Sequence, residues 1–379
     1  MRKILIICTT ICINCYLMLS CKEEVKQQPY IVIDLEKAMD KKAPNKLTLN
    51  DLAENIRIIP VETNDSVLFP YIAIGGLTAQ HVITATGSFA PKQAVYFINK
   101  QDGKVSCVLD KEGPGPGEYS KLYSINISEQ DSIIYVYDMN KRALHSYNFN
   151  GDFIKSIKHD SIGAVQILND GNFAVSSPPD KHIKYALNIY DKSWNLIRQG
   201  LPRGQIPKRA MIHSDGISKY NDECYYHIAL GDTLYHITSE YEKPYMVISK
   251  GQYKAPDEIF ATLSAQDRDG YKYIMHDYIS LISKYCFLYY DYNHKAYYEI
   301  WDTETLNLLY RSRYGRTVEG KREGVQGIPV SIGDVTIVVW PNYVSGNIMY
   351  CVVEPDDALK LIPALPEDTN PILLEVKMR

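Results

Sequence analysis

The residues with the plainest capacity for chemistry lie in the run Gly113-Pro114-Gly115-Pro116-Gly117-Glu118-Tyr119. Glycines let backbone amides converge on an anion, so a phosphate cradle is one reading. Two prolines, however, remove amides that would do the cradling. The run also lacks the Gly-Lys-Ser/Thr ending and the following helix of a nucleotide loop. A rigid connector between strands fits the Gly and Pro positions better. Similar segments recur at Gly200-Leu201-Pro202-Arg203-Gly204, Lys250-Gly251-Gln252-Tyr253 and Tyr314-Gly315-Arg316. As equivalent connectors they would rim one face of the fold, which makes Glu118, Tyr119, Arg203, Lys250 and Arg316 candidate ligand-binding residues by position.

The nine His are scattered singly, with no His-Glu-x-x-His and no His-x-His pair. Separate strands could still bring His together at a central axis, and His213 and His276-Asp277 are the positions to follow. No Gly-x-Ser-x-Gly elbow is present, which disfavours a serine hydrolase of that type. Asp267 with Asp269, and Asp356 with Asp357, read as solvated turns. The Tyr-rich run from Tyr285 to Tyr298 could stack on sugar rings, although Tyr alternating between sheet cores and edges is the plainer reading. No catalytic residue can be assigned.

The elements that would position these residues are strands. Among 379 residues there are 31 Tyr against 8 Phe and 3 Trp, with 22 Gly and 19 Pro dispersed along the chain, an all-β bias. Lys+Arg against Asp+Glu is 41 against 45, a net charge of −4, which excludes a polybasic nucleic-acid binder. A hydrophobic content of 45% excludes a disordered chain. One unit recurs: an aromatic or apolar strand end, a turn with Asp, Asn or Gly, then a second apolar strand. It is read at Phe97–Val105, Tyr147–Ile154, Tyr190–Ile197, His236–Glu240, Trp301–Thr305 and Val353–Asp357, about 51 residues apart on average. Blades of β-propellers run to roughly 40–50 residues each. Two further strand candidates precede each hairpin, giving four-stranded antiparallel blades, six in all. Runs such as Cys286–Tyr290 and Thr336–Trp340 are apolar on both faces, as strands of blades packed face to face would be. Residues 55–61 and 372–378 are expected to pair in the last blade and so close the ring.

The N-terminus begins Met1-Arg2-Lys3, continues with an apolar stretch from Ile4 to Ser20, and reaches Cys21-Lys22-Glu23-Glu24. That is the order of an export signal, and the stretch falls short of the roughly 20 residues that span a membrane. Leu17-Met18-Leu19-Ser20-Cys21 resembles a bacterial lipobox, which implies a lipid on Cys21. Lys22-Glu23-Glu24 looks like the surface-export signal of Bacteroidetes lipoproteins. Residues 1–20 are then a signal peptide, 21–50 the lipidated Cys and a partly ordered tether, and 51–379 the propeller. Once the signal and Cys21 are set aside, Cys107, Cys224, Cys286 and Cys351 remain. Their spacing matches neither a zinc site nor a compact disulfide framework, and buried thiols are favoured over a Cys224–Cys286 bridge.

Ile59-Pro60-Val61-Glu62-Thr63, the Gly113–Tyr119 run and Asn370-Pro371-Ile372-Leu373 resemble the six-bladed β-propeller lipoproteins of Bacteroidetes, related in blade design to NHL-repeat propellers. The resemblance covers nearly the whole mature chain and implies fold and export route. The expected protein is a monomer anchored by its N-terminal lipid in the outer membrane, facing the cell exterior. It would bind a glycan, a peptide or an outer-membrane protein complex, with no nucleic acid and no cofactor. The alternative is an NHL-type lyase or hydrolase with calcium or another divalent metal in the central channel. Asp65-Ser66-Val67, Asp131-Ser132-Ile133, Asp160-Ser161-Ile162 and Asp232-Thr233-Leu234 look like acceptors of Bacteroidetes O-glycosylation.

Overall fold

The structure, a computed structural model, describes residues 30–65, 67–69, 72–86, 90, 92–159, 163–177, 184–203, 216–228, 231–256, 272–274, 276–316 and 321–379. The leader with Cys21 and Lys22–Glu24, together with His213, Asp267 and Asp269, lies outside these residues.

The strands form a six-bladed β-propeller. Blade I is Ile72–Leu77, His81–Thr86, Val95–Asn99 and Val105–Leu109, counted from the innermost strand outward. Blade II is Leu122–Ser128, Ile133–Asp138, Ala143–Asn148 and Phe153–Lys158, and blade III is Val165–Ile167, Phe173–Ser176, Tyr185–Tyr190 and Leu196–Pro202. Blade IV is Gly216–Tyr220, Glu223–His227, Thr233–Ile237 and Glu242–Ser249, and blade V is His276–Ile282, Tyr285–Tyr292, Lys295–Asp302 and Asn307–Arg316. Blade VI is Tyr343–Ser345, Ile348–Val353, Ile372–Met378 and, from the other end of the chain, Ala53–Ile59. The six innermost strands neighbour one another in a closed circle.

The repeat is visible in the sequence because one turn chemistry closes the outer hairpin of blade after blade. The oxygen of an Asn or Asp ending the third strand accepts from backbone amides two to four residues on, as Asx-turns do. Asn99 accepts from Gln101 N at 2.8 Å, and Asn148 accepts from Asp152 N at 2.9 Å. Asp191 accepts from Asn195 N, and Asp302 from Thr305 N, each at 2.8 Å. Blade IV uses the hydroxyl of Thr238, which accepts from Tyr241 N at 3.1 Å. The sixth copy, Val353–Asp357, is a different structure: Val353 ends a second strand and the chain continues into a helix, Pro355–Leu361. Blade VI has no outer hairpin, because its third and outer strands come from opposite ends of the chain.

That closure pairs Asn55 with Lys377, Arg57 with Glu375 and Ile59 with Leu373, so the expected pairing holds with its limits at Ala53–Ile59. Arg57 Nη2 meets Glu375 Oε1 at 2.8 Å, and Tyr350 donates to Glu375 Oε2 at 2.6 Å. Asn370 pins the junction, donating to Glu62 O and Val67 O and accepting from Phe69 N, all at 2.7 Å.

Two features depart from the sequence reading. Ile328–Ile332 and Val335–Val339 form a separate two-stranded hairpin beside blade VI. Its second strand alternates, burying Ile337 and Val339 and exposing Thr336 and Val338, rather than being covered on both faces. The second departure concerns residues 31–50, read as part of a tether. Ile31–Asp34 is a fifth strand on blade IV, parallel to Glu242–Ser249. It leads into two short helices, α1 (Leu35–Met39) and α2 (Leu49–Leu52), before the closing strand. Ile33, Leu35 and Leu49 are completely buried. This strap crosses blade V on its way from blade IV to blade VI.

Apolar packing lies between blades rather than at one centre. Six clusters fill the junctions I/II, II/III, III/IV, IV/V, V/VI and VI/I. The strap contributes Ile33, Leu35 and Ala38 to IV/V, and Leu49 and Leu52 to V/VI. Cys224, Cys286 and Cys351 sit buried in these junctions, Cys107 is half-buried, and all four are free thiols. Burial pushes the Cys224 thiol up to about 12.

Candidate functional site

The connectors from each outer strand to the next innermost strand open onto one face, here the upper face. Antiparallel alternation puts the loops between second and third strands on the same face. Blade V supplies the upper-face feature with the most chemistry. Tyr278, Tyr289 and Tyr298 are direct register partners on its first, second and third strands. A strand's side chains alternate between faces, so the three rings share one face of the blade. They form a chain of edge-on and tilted contacts: Tyr278–Tyr289 at 5.7 Å, Tyr289–Tyr298 at 5.1 Å, and Tyr298–Trp340 at 5.1 Å between ring centroids. Trp340 follows the extra hairpin and is braced by Phe287, 5.2 Å away.

These rings line a cleft of about 650 Å³ between blades V and VI. Gln326, Val338 and Asn342 help to wall it, and Asp291, Glu354 and Asp357 bring carboxylates to its lining. Tyr278 is 48% exposed, so one phenol ring is offered to solvent. Burial raises the pKa of all three phenols, with the Asp291 carboxylate adding to the effect. They remain neutral hydroxyls, and Tyr289 donates to Asp291 Oδ1 at 3.0 Å. An aromatic wall with converging hydroxyl, amide and carboxylate groups is suited to a flat, hydroxyl-bearing ligand.

Asp277, one residue before Tyr278, faces the other way, toward blade IV. Its side chain is 2% exposed and meets Lys250 Nζ at 3.0 Å and His227 Nε2 at 3.5 Å. Lys250 is 1% exposed and donates to Gly231 O at 2.7 Å. Asp232 lies 3.6 Å from Lys250 and 2.7 Å from Lys254. With Asp277, Lys250 and His227 closed to solvent and Asp232 and Lys254 at its open edge, this cluster clamps the connector between blades IV and V to the upper loop of blade IV, and thereby sets the start of the strand that carries Tyr278.

The five rim residues expected from the sequence occupy different settings, and none lines the aromatic cleft. Lys250 lies in the clamp just described. Tyr119 is fully buried, its hydroxyl donating to Gln93 O at 2.9 Å and Leu109 O at 3.0 Å. Glu118 folds back so that its own carboxylate accepts from Gly115 N at 2.7 Å. The anion held by the glycine loop is therefore internal. Lys141 closes the same loop by donating to Gly113 O, Gly115 O and Glu118 O. Gly117, at φ +73°, is packed under Phe153, whose ring a Cβ would meet at 2.6 Å. Arg203 donates to Ser177 O. Arg316 ends the fourth strand of blade V, its backbone opposite Arg322 in a short fifth strand, Arg322–Gly324.

His227 belongs to the clamp, His236 pairs with Glu223 at 2.9 Å, and His159 meets Tyr190 at 2.6 Å. Among the described residues no group of three or more His, Cys, Asp or Glu could hold a metal ion. No helix among them is long and apolar enough to cross a membrane.

The family profile described as a domain of unknown function, DUF4934, matches residues 30–377. A candidate exported protein of Bacteroides fragilis has a similar structure, with a TM-score of 0.71 at 16% identity over 92% of this chain and 99% of that one. A member of the DUF4221 family from Bacteroides vulgatus is similar at a TM-score of 0.52 and 11% identity, over 86% of this chain and 97% of that one. At these identities the likeness shows the fold alone. No match to this sequence was found among curated proteins.

Proposed function

Because the chain belongs to the DUF4934 family, described only as a domain of unknown function, we propose its role from geometry: an exported binding propeller that captures neutral or amino sugars of a glycan in the cleft between blades V and VI. The observation that carries this is the aromatic ladder Tyr278–Tyr289–Tyr298–Trp340, open on the upper face beside Asp291, Glu354 and Asp357. Sugar rings present apolar C–H faces to aromatic rings and hydroxyls to carboxylates. Acids in the lining favour neutral or basic sugars over acidic ones.

Trp340→Ala and Tyr278→Ala should each weaken binding of neutral oligosaccharides about 3- to 10-fold, because an aromatic contact is worth roughly 0.5–1.5 kcal/mol beyond area burial. Calorimetric titration with oligosaccharides selected on a glycan array measures it. Equal affinity in wild type and the Trp340→Ala variant, with both melting alike, would remove the cleft from the reading.

The same reading places the protein in the outer membrane through a lipid on Cys21, facing outward as a monomer. Its support is the order of residues 1–24 together with the exported neighbour. Cys21→Ala should abolish lipidation. Changing Lys22, Glu23 and Glu24 to Ala should keep the lipid but leave the protein facing the periplasm. Protease treatment of intact cells distinguishes the two, and equal cleavage of wild type and triple variant would overturn surface exposure.

A further inference from the structure

A second cavity, of about 630 Å³, lies where the strap crosses blade V. Strap residues between Met39 and Asn45 form one wall, and the outer strands of the blade form the other. Lys41, Lys42, Lys295, Arg311 and Arg313 line it against a single acid, Glu323. The chain as a whole carries a net charge of −4, so composition does not account for this concentration of cations. Gly324 builds part of the wall: at φ +101° it lies so close to Arg313 that a Cβ would meet the Arg313 carbonyl at 1.8 Å.

Lysines at a surface would carry little weight alone, but the back of the cavity is different. The Arg311 side chain is 6% exposed. Its Nε donates to Glu299 Oε1 at 2.6 Å and its Nη1 to Ala38 O at 2.9 Å. Its Nη2 has no hydrogen-bond partner among the described residues. Leaving a buried donor unpaired costs about 1–3 kcal/mol, and more when it is charged. Glu299 also accepts from Tyr290 and Trp301, and it balances only the charge of Arg311. Lys41, Lys42, Lys295 and Arg313 remain against Glu323.

We propose that this cavity binds a small soluble organic molecule through a phosphate or sulfate ester, with Arg311 and Arg313 as its guanidinium partners and Lys295, Lys41 and Lys42 supplying further charge. Guanidinium groups match the geometry of such oxyanions. The volume falls within the roughly 300–1,000 Å³ of small-molecule sites, several times what a bare oxyanion fills, so the group arrives on a larger body.

Titration calorimetry with glucose 6-phosphate, glucose 6-sulfate, inorganic sulfate and glucose tests this. Saturable binding of at least one ester is expected, weaker binding of inorganic sulfate, and none of glucose at this site. A Lys295→Ala/Arg313→Ala double variant should lose at least tenfold in ester affinity with an unchanged melting temperature. Lys41→Ala/Lys42→Ala, at exposed strap positions, gives a second reading should the first variant fold poorly. Trp340→Ala should leave ester binding unchanged, which separates this site from the aromatic cleft. Unsaturable binding, ester affinity equal in wild type and both double variants, or binding only to phosphatidylglycerol vesicles would overturn the proposal.

Discussion

Truncation after Asn370 should yield a protein that aggregates or melts without a cooperative transition. The lost segment is the third strand of blade VI, and it carries Ile372, Leu373, Leu374, Val376 and Met378, all essentially buried. At about 1.5–3 kcal/mol for each buried apolar side chain, their removal forfeits roughly 8–15 kcal/mol. That equals the entire stability of an ordinary domain. The damage also spreads. Ala53–Ile59 loses its only partner in the sheet, and the V/VI and VI/I junctions lose one wall each. Thermal melts followed by circular dichroism check this, and a curve unchanged by the truncation would show that the ring closes without this strand.

Removal of residues 22–45 should be nearly as damaging, although this segment reads from sequence as a partly ordered tether. The strap buries Ile33, Leu35 and Ala38 in the IV/V junction. Its carbonyls at Ala38 and Pro44 receive the Arg311 guanidinium and the Arg311 amide. Without it, apolar walls of blades IV and V face water, and the buried Glu299–Arg311 pair loses a partner, a change of the kind that costs about 3–5 kcal/mol. A loss of at least about 5 kcal/mol is expected from the two side chains Ile33 and Leu35 together with that network. Removing residues 22–29 alone should leave the melt unchanged. Were both deletions to melt like wild type, the strap would be an ornament on a self-sufficient ring.

What the sequence discloses, and what it hides, follows from how far each signal extends along the chain. The outer hairpins are legible because Asn99, Asn148, Asp191 and Asp302 repeat one local turn chemistry. Closure is legible because Ile56–Ile59 and Ile372–Val376 are too apolar to be left at an edge. The motifs Ile59–Thr63 and Asn370–Leu373, far apart in sequence, prove to be two halves of one junction joined through Asn370 and Thr63. The strap was hidden because a four-residue strand and a five-residue helix are too short to display a period. Trp340 was hidden because the insertion before it was read as a blade strand. The aromatic ladder was barely visible: the run Tyr285–Tyr298 could stack on sugar rings, but Tyr alternating between sheet cores and edges is the plainer reading, because which rings share a face depends on register, which composition does not encode. The rim residues fared differently again, because a connector position says which face a residue is near but not whether its side chain turns inward.

The direction of the first strand fixes how the propeller is presented. Ile31–Asp34 runs parallel to Glu242–Ser249, with Ile31 opposite Met246 and Asp34 opposite Ser249. It therefore climbs toward the upper face, and the polypeptide joins the ring from the side of the lower one. Ile31 follows Cys21 by ten positions, a reach of at most about 35 Å. A lipid at Cys21, as proposed, would put the lower face on the side of the bilayer. The aromatic cleft would then open on the side away from the membrane.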